Sequence, residues 1–350
     1  QGEGRIAGKG EVAVNGKTLF FKKLILASGG KWITPDFPGG DLEGVINSDG
    51  LLSAKDLPKS VLLVGRSPWN IEIAQFLQRF GSQVTLATGE KSILSDESKV
   101  IRSRLAKALR DQGISIWTRA EVKCIKKKKD ALQCEVWGKG KEETLVVDRV
   151  IYLQREACLA KLGLEKVSLG GNGGFIPVNG HMETSVEGLY AIGDVASPEE
   201  RHYSHLSSAG GIVAAENAMG MDSVFEHRTV CRVLFTQPQV ACVGLTGREA
   251  KAAGYEVVEG AAPLSMNPFG MITSQTEGLV EVVADKKYGE VLGVNFIGKG
   301  ACEMAGQAVL AIQMEATLED LARATFPHPT LSESLAEAAR DCLGRPIYLP

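Results

Sequence analysis

The sequence predicts an α/β protein with one doubly wound parallel sheet, a second α/β portion split around it, and a C-terminal α+β domain. Three observations predict this. An apolar strand, Ser60-Val-Leu-Leu-Val-Gly65, runs into a helical pattern over Ile71–Phe80 and then a second strand over Ser82–Ala87, a β-α-β unit. A second buried-type strand, Val186-Glu-Gly-Leu-Tyr-Ala-Ile-Gly-Asp194, ends in Gly-Asp, the kind of turn that sits at the carboxyl edge of such sheets. From about His227 the pattern changes to strands of an antiparallel sheet followed by helices.

The totals fit that class. A chain of 350 residues has room for two or three cores, and its 40 glycines suit a fold with many tight turns. A net charge of -3 and a pI near 6.1 argue against nucleic acid as the main partner, because phosphate binding needs a concentrated positive surface. The run Lys126–Lys129 reads as the solvated turn of a hairpin. No apolar run approaches the ~18 residues of a membrane span, and the N-terminus carries no secretory signal, so a soluble protein is expected. The seven cysteines show no Cys-x-x-Cys or metal-ligand spacing and read as buried thiols in a reducing, cytoplasmic setting.

In chain order, residues 1 to about 25 read as short strands around Asn15-Gly16, a hairpin signal. Lys23-Leu-Ile-Leu-Ala-Ser-Gly-Gly30 is an apolar strand ending in a small-residue turn. The loop after Val64 is Gly65-Arg-Ser-Pro-Trp-Asn70, where a dinucleotide fingerprint has Gly-x-Gly-x-x-Gly. Ser67 and Asn70 therefore carry side chains into positions that need none, and Thr88 stands where an acidic residue would meet a ribose. A helix over 96–112, a strand from Gly113, two further strands and Val146–Leu153 complete the domain. Asp194 is read either as a ligand-facing carboxylate or as a helix cap, and His205 equally as a contact or a structural histidine. Ser207–Met219 is a helix of small residues. The later strands, the helices near 300–314 and 317–324, and a closing helix from Leu331 finish the chain.

Phe326-Pro-His-Pro-Thr-Leu-Ser-Glu333 stands at the start of that closing helix. Two prolines restrict the backbone around His328, Thr330 or Ser332 can cap the helix, and Glu333 lies within reach of the imidazole. A fixed histidine with a carboxylate behind it is an acid–base unit, while a capped helix start with a structural histidine uses the same residues.

The His-Pro-Thr-Leu-Ser-Glu segment, the Ala-Ser-Gly turn, the Gly193-Asp194 strand, Phe-Thr-x-Pro at 235–238, Val-Gly-Leu-Thr at 243–246 and Leu-Gly-Val at 292–294 together resemble the flavin-dependent pyridine nucleotide-disulfide oxidoreductases, along essentially the whole chain. The likeness is nearest to dihydrolipoamide dehydrogenase. It implies FAD and NAD (or NADP) as cofactors, a homodimer, a small disulfide or lipoyl-type substrate, and no nucleic acid or membrane partner. It implies His328 as acid–base and Glu333 as its orienting partner, acting across the dimer. Ser28, Gly29, Gly193, Asp194 and His205 are implied flavin contacts, and Gly65 and Glu72 nicotinamide-side contacts. The implied domains are residues 1–57 (partial FAD segment), 58–153 (NAD(P)-binding-like), 154–226 (FAD segment) and 227–350 (dimerisation). The family's first glycine fingerprint and Cys-x4-Cys pair find no match in this sequence, so the chain is expected to be the inactive C-terminal portion of such an enzyme. The altered glycine loop keeps a second expectation open, a non-catalytic homologue or assembly module.

Overall fold

The computed structural model describes residues 2–138, 140–170, 174–198 and 202–349. It divides into two compact units, residues 1–34 with 154–227 and residues 35–153 with 228–350.

In the first unit a three-stranded antiparallel sheet (Gly4–Gly8, Glu11–Val14, Lys17–Phe20) turns at Asn15 and Gly16, both at positive φ, the backbone a tight hairpin requires. Leu24–Leu26 pairs in parallel with Leu189–Ala191, and Gly30–Trp32 pairs antiparallel with Arg155–Ala157. Ile6, Leu26, Ile176, Leu189 and Val195 meet in one core. The helix Ser204–Ala218 completes the unit.

The second unit holds the predicted doubly wound sheet. Its five parallel strands lie in the order Val45–Ile46, Arg149–Tyr152, Ser60–Val64, Gln83–Thr88, Ser115–Thr118. Leu62 and Leu63 are fully buried on opposite faces, which is why the strand reads as an unbroken apolar run. The antiparallel excursion is three-stranded, Glu121–Lys128, Ala131–Gly138 and Lys141–Val147. The lysine run is mostly strand; only Lys129, at φ 53, belongs to the turn. Lys126 reaches Glu135 across the strands at 2.6 Å.

Two expected elements differ. The strand 146–153 breaks at Asp148, whose carboxylate accepts from Lys59 N and Ser60 N. The chain thereby leaves the excursion and rejoins the parallel sheet at Arg149. The helix expected over 96–112 runs from Lys99 to Asp111, because Glu97 is drawn into a two-point ion pair with Arg232 (2.6 and 3.0 Å) and Ser95 O accepts from Arg102.

A five-stranded antiparallel sheet follows in the order Arg232–Leu234, Gln239–Gly244, Val291–Gly298, Leu279–Asp285, Val257–Pro263. The helices Ala301–Gln313, Leu318–Arg323 and Glu333–Cys342 pack over one core containing Val280, Phe296, Ala308, Leu335 and Ala338. Each large apolar side chain buried there contributes about 1.5–3 kcal/mol. Gly260 lets the closing helix lie against its strand, since a Cβ there would fall 2.5 Å from Ala338 O and Cys342 N. Among the described residues, no helix is long and apolar enough to cross a membrane.

Candidate active site

The helix Glu333–Cys342 begins at Glu333, beside His328. His328 Nδ1 lies 3.0 Å from Glu333 Oε1, with the histidine side chain 59% exposed and the glutamate 14%. Glu333 Oε2 accepts from Thr330 N at 2.8 Å. The expected side-chain cap is absent: Ser332 is the N-cap residue but makes no capping bond, and its hydroxyl instead accepts from Gln307. Thr330 donates its hydroxyl to Pro327 O. Glu333 thus ties down the turn ahead of the helix through Thr330 N and holds the imidazole with its other oxygen. Held at Nδ1, the ring directs Nε2 away from the carboxylate, the arrangement of a proton-exchanging histidine.

In the first unit, Gly30 adjoins Asp194: a Cβ on Gly30 would sit 3.3 Å from Asp194 Oδ2. The turn Ser28–Gly29 is pinned by Ser28 Oγ donating to Cys158 O (3.0 Å) and Cys158 N donating to Gly29 O (2.8 Å). Asp194 opens from Gly193 at φ +69, where a Cβ would meet Ser207 Oγ at 3.0 Å. Arg155 was not among the sequence-predicted site residues. Its guanidinium binds Asp194 Oδ2 at 2.7 Å, donates to Gly30 O at 2.8 Å and lies over the Trp32 ring. A half-buried carboxylate held by arginine, beside glycines that leave room for close approach, is chemically suited to accept from a ligand hydroxyl. His205 stands at the exposed start of its helix, stacked on Tyr203.

The glycine loop of the second unit is different. Gly65 is at φ +136 and donates its N–H to Ala87 O. Ser67 caps the helix Pro68–Arg79 by accepting from Trp69 N (3.3 Å), Pro68 has no N–H, and Asn70 N donates to Ser67 O. Asn70 is 1% exposed; its amide fills the space under Gly65, 2.7 Å from where a Cβ would be, and neither polar atom finds a partner. Arg66 and Glu90 approach to 3.6 Å over the loop. A dinucleotide pyrophosphate is held by free N–H groups at a helix N-terminus with glycine beneath it; here Trp69 N and Asn70 N are engaged, Pro68 has no N–H, and Asn70 fills the space a glycine would leave. Glu72 accepts from Phe235 N at 2.8 Å, and burial raises its carboxyl above the ordinary value. Gln75 exchanges both its amide groups with the Gln237 backbone. The helix below the loop is thus tied to the segment Phe235–Pro238.

All seven cysteines are free. Burial pushes the thiols of Cys134, Cys231 and Cys342 up to about 12, so none of these is a thiolate nucleophile near neutrality. Among the described residues no cluster of His, Cys, Asp and Glu could hold a metal.

Residues 1–221 match the pyridine nucleotide-disulphide oxidoreductase family, and residues 230–339 match its dimerisation domain. A dihydrolipoyl dehydrogenase of Thermus scotoductus is 38% identical over the whole of this chain and 76% of its own length. This chain belongs to the pyridine nucleotide-disulphide oxidoreductase family. A dihydrolipoyl dehydrogenase of Geobacillus stearothermophilus is 31% identical over 96% of the chain and 72% of its own length. In fold the chain is similar to an HOCl-induced flavoprotein disulfide reductase, RclA of Escherichia coli (TM-score 0.85, 24% identity, 97% of this chain and 78% of that one). It is also similar to LpdA of Mycobacterium tuberculosis (TM-score 0.87, 22% identity, 97% and 76%). The family is one of oxidoreductases that use FAD and NAD(P)H and act on disulfides. Within this family member the Asp194 cluster fits a flavin hydroxyl, whereas the glycine loop does not fit a pyrophosphate in the usual pose.

Proposed function

We propose that the chain serves an FAD-dependent disulfide oxidoreductase resembling dihydrolipoyl dehydrogenase, acting on a small disulfide or lipoyl-type substrate as a homodimer in the cytoplasm. The observation that carries this reading is the His328–Glu333 pair, with Glu333 anchored by Thr330 N. The chemistry a flavin supplies when bound is passage of an electron pair between a pyridine nucleotide and a disulfide. Protein groups must handle the accompanying protons. His328 takes or returns the thiol proton at Nε2, and Glu333 holds the ring in one tautomer and steadies the imidazolium that forms. Asp194, held by Arg155, with Gly30, Gly193 and the Ser28–Gly29 turn beside it, would hold the flavin. Our partition assigns 1–57 and 154–226 to flavin binding, 58–153 to the nucleotide fold and 227–350 to dimerisation.

The consumed donors of the Gly65–Asn70 loop favour a second reading, a homologue that keeps the fold and dimer but has lost nicotinamide-driven turnover. NADH-dependent reduction of lipoamide by the full-length parent enzyme separates the two, the chain alone being expected to be inactive. Turnover that disappears in His328→Asn supports the first reading; a protein that binds FAD and dimerises yet never oxidises NADH sinks it.

A further inference from the structure

We propose that Asn267 is a positioning residue of the His328–Glu333 pair: its buried side-chain amide holds Thr330 in place, and Thr330 in turn holds Glu333. The consequence for turnover rests on the reading of His328 given above; the clamp itself does not.

Asn267 follows the strand Val257–Pro263 and the turn Leu264–Met266, 63 positions before Thr330, and is only 5% exposed. Its side chain has three partners. Oδ1 accepts from Gly270 N at 2.9 Å, which caps the short helix Pro268–Ile272. Nδ2 donates to Thr330 O at 2.9 Å and to Ser334 Oγ at 3.0 Å. Capping needs only the oxygen, and a serine or aspartate would serve; the nitrogen is what the contact with Thr330 uses.

Thr330 is thereby held at each of its polar groups: the carbonyl by Asn267, the N–H by Glu333 Oε2 at 2.8 Å and the hydroxyl by Pro327 O at 2.8 Å. The last two bonds lie within residues 327–334 and would move with them. Among the bonds described, this segment is tied by side chains of other elements through Asn267, on Thr330 and Ser334, and through Gln307, on Ser332. Of these, only the bond to Thr330 O reaches a residue that Glu333 itself binds. The bonds run without a gap from Asn267 through Thr330 and Glu333 to His328 Nδ1. Acid–base transfer depends on where the imidazole points, and a displacement of about 1 Å can cost ~10²-fold in rate.

The test removes the nitrogen and keeps the cap. Asn267→Ser can still accept from Gly270 N but is too short to reach Thr330 O. In the full chain, residue-resolved amide exchange at Thr330 is expected to accelerate at least ~10-fold, while Gly270 exchanges as before. Unchanged exchange at Thr330, or equal acceleration at both amides, marks a residue that only props the fold and overturns the proposal. In the full-length parent enzyme the same substitution should lower kcat for the disulfide about 10-fold with KM unchanged. Once Glu333→Ala is present it should cost less than ~2-fold further, because the clamp acts through Glu333. A loss of equal size in both backgrounds refutes that route. Should Asn267→Ser lack a cooperative unfolding transition, Asn267→Thr, which also keeps a capping hydroxyl, is read in the same two assays. If Thr330 exchange accelerates while neither Asn267→Ser nor His328→Ala changes kcat, the clamp stands and the acid–base reading of His328 fails. If His328→Ala disables the enzyme and Asn267→Ser does not slow it, the clamp fails and the reading stands.

Discussion

Two helix starts in the second unit, Pro68 and Glu333, face the same problem and solve it in opposite ways. Each must satisfy N–H groups that the helix leaves without partners. At the closing helix Ser332 makes no cap bond, and Glu333 spends one oxygen on Thr330 N, ahead of the helix, and keeps the other for His328. At the glycine loop Ser67, Pro68 and Asn70 take up or remove the donors of the first turn. One helix start leaves a carboxylate oxygen on His328, and the other has Trp69 N and Asn70 N engaged within the loop. The fold is the same family fold in both places; which local group claims the donors decides what each can do.

The largest expected effect lies at the closing helix. In the full-length parent enzyme His328→Ala should lower kcat for the disulfide by about 10²–10⁴-fold with little change in KM. An unimpaired kcat would make the two helix starts alike, both merely structural. Next comes the loop. Ser67→Gly with Asn70→Gly should tighten NADH binding in titration calorimetry by about 10-fold or more, because it frees Trp69 N and empties the space under Gly65. Unchanged affinity would show that the occupied donors are not what limits binding.

Stability separates the two starts further. Ser67→Ala removes a cap bond and should cost about 1 kcal/mol in urea unfolding, whereas Ser332→Ala, which removes no cap, should cost clearly less. Equal costs would contradict the absence of a cap bond at Ser332. The smallest effect concerns Glu72. Its carboxyl is raised above the ordinary value by burial, so the stability linked to it is present below its unfolded pKa and is lost as pH rises through the higher folded value. Glu72→Gln should therefore leave acid stability unchanged and raise the unfolding midpoint slightly at pH 7. A lower midpoint at pH 7 would mean that the bond to Phe235 N outweighs desolvation.

Much of the fold was legible because its signals are local. The unbroken apolar run at Ser60–Val64, the period of the helix after it, the Asn15-Gly16 hairpin and the Gly193-Asp194 turn are each written within ten residues. The contact of His328 with Glu333 was legible for the same reason, the two lying five positions apart. The departures of Ser67 and Asn70 from a glycine fingerprint could also be read directly, though not their consequence.

Only the tertiary structure decided what each polar group does, because the partners are far apart in sequence and no local pattern names them. Asp194 is claimed by Arg155, Glu72 by Phe235, Glu97 by Arg232 and Asp148 by Lys59 and Ser60. The Glu97 pairing shortened a predicted helix and the Asp148 pairing split a predicted strand. The sequence by itself determined where strands, helices and turns form, since backbone sterics and burial periodicity act over a few residues. The tertiary structure decided which donors remain free, since a buried charge or amide takes whichever partner the packed chain brings within about 3 Å.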